Sequence, residues 1–245
     1  MQKTPSIPPI YRLLEVPEGT EPGAAARERA AQGAEPGTLL WEPRAKRLAC
    51  AVVLAPEDPL QTALQVSCIA MLALADALGS VLPPQVEVAL AWPNRVLINA
   101  AYGGAVRIHM PPGVAPTDVP DWLVAEVEVA LKGQGSDVSP IPGLAATTLE
   151  FEGCDGPESG EFLASFARHF LSWLNRWQED GFAPVRAGWR QWVRDYGRDI
   201  DLDLAGAHVT GRFVELDETG GMILERDGET RRLALHEVLA AMAKT

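Results

Sequence analysis

The residues best suited to chemistry fall in three places. Between 86 and 104 the chain reads VEVALAWPNRVLINAAYGG, in which an indole (Trp92), an amide (Asn94) and a guanidinium (Arg95) stand where two strand-like runs meet, with Gly103-Gly104 following. Such a set can shape one end of a ligand pocket. Farther upstream, Pro43-Arg44-Ala45-Lys46-Arg47 joins an apolar run ending at Glu42 to another beginning at Leu48. Three cations in so tight a turn can meet an anion, and equally can do no more than keep an exposed turn soluble. The third place is Cys154, in TTLEFEGCDG. Its thiol is a candidate nucleophile for acyl transfer, but Glu150, Glu152 and Asp155 would raise its pKa and suppress the thiolate. Cys68, within a long apolar run, suits that role less.

Trp92-Pro93-Asn94 resembles the active-site core of the biotin/lipoate protein ligases, whose signature is Lys-Trp-Pro-Asn-Asp. The similarity extends over nearly the whole chain. Residues 145–192 are similar to the family's succession of strand, long helix, Gly-x-x-Pro and tryptophan-bearing helix, and residues 208–238 resemble the small C-terminal barrel of biotin protein ligases. The resemblance implies an α+β fold: a mixed, largely antiparallel sheet flanked by helices over residues 1–198, then an SH3-like β-barrel over 199–245. It also implies ATP and biotin or lipoate as ligands, and a carrier protein as acceptor. The implied ligand-binding residues are Trp92, Asn94, Gly103, Gly104, Arg44, Lys46 and Arg47.

Three departures bear on the implied activity. Ala91 stands at the lysine position and Arg95 at that of the aspartate. The family's glycine- and arginine-rich loop is reduced to the 43–47 turn, and its Glu-x-x-Ser-Thr-Asn becomes Glu15-Val-Pro-Glu-Gly-Thr20-Glu21. A ligase must bring a carboxylate and an ATP phosphate together, which demands fixed positive charge; losing one such donor costs roughly 10² to 10³ in rate. Arg95 and Lys46 are the candidate substitutes. Arg95 is four positions from Ala91, an even offset that shares a face only in a regular strand, and Pro93 interrupts this one.

Composition narrows the classes. A chain of 245 residues with 47% hydrophobic content can bury a full core. Its net charge of −12 repels phosphate backbones, so a nucleic-acid partner is not expected. The apolar stretch 63–78 is interrupted by Gln65, Ser67 and Asp76, and no membrane partner is expected either. Three cysteines without metal-like spacing, and no apolar leader, lead us to expect a cytoplasmic protein.

Periodicity supplies the elements. A short helix is expected over 22–32, a buried helix over 59–78, strands over 86–92, 96–101 and 106–110, and a hairpin turn at Gly103-Gly104. Residues 122–131 alternate as a strand, with Leu123, Ala125, Val127, Val129 and Leu131 on one face. Phe162, Phe166, Phe170, Trp173 and Trp177 form one helical stripe that reads as packing. The strand-rich tail is expected to close into a barrel. These readings favour a family member binding a biotin-like or lipoyl-like acid, or its carrier protein, with adenylation weak or lost. The alternatives are an active biotin/lipoate-type ligase and an ATP-independent octanoyl/lipoyl-type acyltransferase using a cysteine.

Overall fold

The computed structural model describes residues 4–43, 46–136, 139, 144–154, 158–204 and 207–242. Arg44, named above as a ligand contact, lies outside them. Four strands open the main sheet: β1 (Arg12–Glu15), β2 (Thr38–Trp41), β3 (Arg47–Leu54) and β4 (Val88–Ala91). β5 (Arg95–Ile98), β6 (Ala101–His109) and β7 (Leu123–Ala130) complete it, in the spatial order β1-β2-β3-β7-β6-β5-β4. Of these neighbouring strands, only β1 and β2 run parallel. The expected mixed, largely antiparallel sheet is thus present.

One face of this sheet is the core. Leu123, Ala125, Val127 and Val129 of β7 alternate onto it beside Cys50 and Val52 of β3, and α3 (Val66–Gly79) packs across them. Nearly every residue of α3 is buried, so the helix is apolar all round. The stretch Leu60–Gly79 is long and apolar enough to cross a membrane, but it is 83% buried inside the protein. The single helix expected over 59–78 is divided into α2 (Leu60–Ala63) and α3. At the division, Gln65 donates to the Glu218 carbonyl (2.7 Å) and accepts from Trp177 Nε1 (2.6 Å). Helix α4 (Ser159–Asp180) lays Phe162, Phe166 and Phe170 on the core, and its Trp173 donates to Asp76 of α3 at 2.7 Å. The aromatic stripe is packing, as its spacing implied.

The other face is only partly covered. Helix α1 (Pro22–Ala31) lies against Ala51, Val53 and Val124 through Ala26 and Ala30. Its Gly23 fits so closely over Glu126 that a Cβ there would overlap the carboxylate.

Two expectations need correction. The β5–β6 turn is Asn99-Ala100, both at positive φ (47° and 65°), and Gly103-Gly104 lie inside β6 at an irregularity in the pairing. Asn99 suits the left-handed conformation and fixes the turn by accepting from Glu87 N and donating to Glu152. The glycines serve close approach instead: a Cβ at 104 would overlap the Glu128 carbonyl oxygen, and one at 103 the Ile98 side chain.

The second correction concerns the tail. Strands β8 (Asp199–Leu204), β9 (Ala207–Leu216), β10 (Met222–Arg226) and β11 (Glu229–Leu233) pair in the order β11-β10-β9-β8. The outer two do not pair with each other, so the described residues form an open antiparallel sheet and not a closed barrel. Alternation and turn glycines specify strands and hairpins, whereas closure requires the first and last strands to meet. Helix α5 (Ala183–Trp192) precedes this sheet and α6 (Leu235–Met242) follows it.

Candidate functional site

The Trp92-Pro93-Asn94 segment is the connection of the β4–β5 hairpin, with a cis peptide bond between Trp92 and Pro93. Pairing continues to its base, where Ala91 and Arg95 face each other as cross-strand partners. Directly opposed residues of an antiparallel pair project to the same face. Arg95 is therefore beside the very position at which the family carries its lysine, and the interruption at Pro93 does not separate them. The register runs on across the sheet, Arg95 opposite Ala105, Ala105 opposite Glu128 and Glu128 opposite Ala49.

Trp92 does not share that surface. Trp92 is 3% exposed, belongs to the main core, and donates its indole N–H to the Gly220 carbonyl at 3.0 Å. Asn94 is buried, its backbone carbonyl accepts from Val106 N at 2.9 Å, and its Oδ1 has no hydrogen-bond partner among the described residues. Gly103 and Gly104 are buried as well. All four of these expected ligand-binding residues are buried: Trp92 packs in the main core, and Gly103 and Gly104, in β6, give space to Ile98 and Glu128. Within the motif, the indole of Trp92 faces the core.

The electrostatics of the outer face distinguish its cations. Arg47 opens β3 and is surrounded by carboxylates. Its Nη1 donates to Glu128 (2.7 Å), and its Nη2 to both oxygens of Glu21 (2.9 and 3.0 Å) and to Glu42 (3.4 Å). Burial alone would lower the pKa of Arg47, but the hydrogen bonds it donates to Glu21 and Glu128 raise it well above its ordinary value. Arg107 donates to Glu128 (3.2 Å) and lies 3.9 Å from Glu126, which also pairs with His109 Nε2 at 2.7 Å. Burial tends to raise the pKa of Glu126, and the His109 hydrogen bond and charge bring it below the usual carboxylate range.

Arg95 is different. It is half-buried, and no carboxylate among the described residues stands against it; burial lowers its pKa, with only Tyr102 opposing that shift. Tyr102 is itself raised, by burial first and then by Glu128. Lys46 is exposed, and its backbone carbonyl accepts from Leu131 and Lys132.

The thiols sit elsewhere. Cys154 is buried and donates to the Val81 carbonyl at 3.3 Å. Burial pushes the Cys68 thiol up to about 12, with Asp217 adding to the shift. Neither is presented as a nucleophile. A cavity of about 1090 Å³ lies on the helical side, lined by Leu171, Leu174, Trp177 and Phe182, and includes none of the residues of the outer face.

The protein is thus of the α+β class, a seven-stranded mixed sheet with helices packed on its core face and a cation beside a motif hairpin on the other. The biotin/lipoate A/B protein ligase family model matches residues 7–191, and the chain belongs to that family. It is 32% identical over 188 residues to the biotin--[acetyl-CoA-carboxylase] ligase of Paracoccus denitrificans, spanning 75% of this chain and 76% of that protein. A biotin protein ligase-like protein of unknown function from Silicibacter sp. TM1040 superposes with a TM-score of 0.86 at 32% identity, covering 96% of this chain and 99% of the other. The Aquifex aeolicus biotin protein ligase in complex with biotin and ATP matches with a TM-score of 0.70 at 18% identity, over 91% and 95% of the two chains, and so shares the fold.

Proposed function

We propose that this chain binds a biotin-like or lipoyl-like acid, free or on its carrier protein, through Arg95, and that its capacity to adenylate that acid is weak or lost. The observation carrying the reading is Arg95, a half-buried guanidinium with no opposing carboxylate among the described residues, directly across the hairpin from Ala91. A charged hydrogen bond to a ligand carboxylate there is worth about 1.5–3 kcal/mol.

Among the described residues, those of the outer sheet face fit one carboxylate better than a polyphosphate. Of the turn's three cations, Arg44 lies outside the described residues and Lys46 is exposed, while Arg47 is already bound by Glu21, Glu42 and Glu128, so an ATP phosphate approaching Arg47 meets negative charge. Arg95 would orient the acid, while no described glycine-rich loop offers backbone amides to phosphate.

The 32% identity to the Paracoccus ligase favours a second reading, an active ligase using Arg95 in place of the lysine. Acid-dependent exchange of pyrophosphate into ATP separates the two. We expect exchange at least about a thousandfold below an active relative, from the loss of two electrostatic donors whose effects need not add. Robust exchange that disappears in Arg95→Ala establishes the second reading and removes the first. A thiol-based acyltransferase is disfavoured by the burial of Cys154 and its hydrogen bond to Val81.

A further inference from the structure

Among the described residues of the outer face, the guanidiniums of Arg47 and Arg107 are held by carboxylates and that of Arg95 is open, and the closure of Arg47 has a displaceable part. Of the three carboxylates on Arg47, Glu42 is 1% exposed and Glu128 belongs to the sheet, but Glu21 is 57% exposed and sits in the connection before α1. Glu21 places both oxygens on Arg47 Nη2, at 2.9 and 3.0 Å. Two acceptor oxygens on a guanidinium are what an external carboxylate or phosphate would also supply. Glu21 thus occupies Arg47 as an anionic ligand would.

We infer that Glu21 is a specificity-determining residue: an internal anion that holds Arg47 and so excludes polyphosphate from this face, while leaving Arg95 open to a single carboxylate. The inference rests on the acid-binding reading proposed for Arg95. The exposure of Glu21 is what makes the device economical, because an exposed ion pair adds little to folding and can be removed without unfolding the protein. Glu42 and Glu128 would remain, so the effect of removing Glu21 is a weakening of the exclusion and not its abolition.

The test uses inorganic tripolyphosphate and octanoate as probes in titration calorimetry. Glu21→Gln should tighten tripolyphosphate binding about tenfold, the equivalent of one additional charge-assisted hydrogen bond to the probe. Adding Arg47→Ala to Glu21→Gln should abolish that tightening, with thermal melts confirming that both proteins fold. Glu18→Gln supplies the control for overall charge, since Glu18 is exposed on the same connection and lies outside the cluster. It should leave tripolyphosphate binding unchanged. No tightening in Glu21→Gln, an equal tightening in Glu18→Gln, or a tightening that survives loss of Arg47 each overturns the inference. Octanoate reports separately on the underlying reading: its binding should fall in Arg95→Ala and be unchanged in Glu21→Gln. If Arg95→Ala has no effect on octanoate, the acid-binding reading fails, whatever tripolyphosphate shows.

Discussion

The two sides of the β4–β5 hairpin differ in what they ask of their residues. Inward, Leu90, Trp92 and Val96 join the main core, and Trp92 ties the hairpin to the C-terminal sheet through Gly220. Outward, Ala91 and Arg95 face each other on the opposite surface. Inward, Trp92 matches the family's motif; outward, Ala91 and Arg95 depart from it. Packing constrains volume and hydrogen bonding together, so the inward side tolerates little. A ligand-facing position is constrained only by the ligand and can change without cost to the fold.

This contrast can be broken by mutation. Trp92→Ala should be the most damaging change, destabilising by about 3–5 kcal/mol through a core cavity. Chemical denaturation measures this, and a loss below about 1 kcal/mol would mean that Trp92 does not bind the hairpin to the core. Gly104→Ala should cost about 1–3 kcal/mol, because the added methyl must push against the Glu128 backbone. Arg95→Ala should do the reverse of both, leaving the melting temperature essentially unchanged while weakening octanoate binding about tenfold or more. A large stability loss in Arg95→Ala would remove the distinction between the two sides.

Acid titration sharpens the electrostatic part. The folded pKa of Glu126 is lowered, so its contribution to stability is present above the unfolded value of about 4.3 and is lost as pH falls through the folded value. Replacing it in Glu126→Gln should flatten the acid limb of the stability profile below about pH 5. An unchanged limb would place that slope elsewhere, with Asp217, also lowered, as the next group to replace. The smallest effect is expected at Ala100. Its φ of 65° is costly for alanine and natural for glycine, so Ala100→Gly should stabilise by about 0.5 kcal/mol after the glycine's own entropic cost.

Much of the architecture was legible from periodicity. The period-two runs gave β7 and the strands of the tail, and the four-and-three spacing from Phe162 to Trp177 gave α4 and its buried stripe. The turn after β5 was misplaced because a glycine pair is the commoner sign of positive φ, and Ala100 in that conformation has no local signature. Glycines that yield space to a crossing backbone look identical in sequence to glycines that turn. The break at Gln65 was hidden for a related reason: what fills it, Glu218 and Trp177, arrives from far along the chain.

For the site, the sequence by itself determined the hairpin's identity, the loss of the lysine at 91 and the presence of a cation at 95. Which face each residue takes was decided only by the tertiary structure. Facing follows from strand pairing, and pairing sets Arg95 beside Ala91, while long-range packing takes Trp92 into the main core. Charge in the sequence is likewise only potential. Arg47 and Arg95 are the same residue type in the string, and they became a closed and an open guanidinium because Glu21, Glu42 and Glu128 converge on one of them from three separate segments.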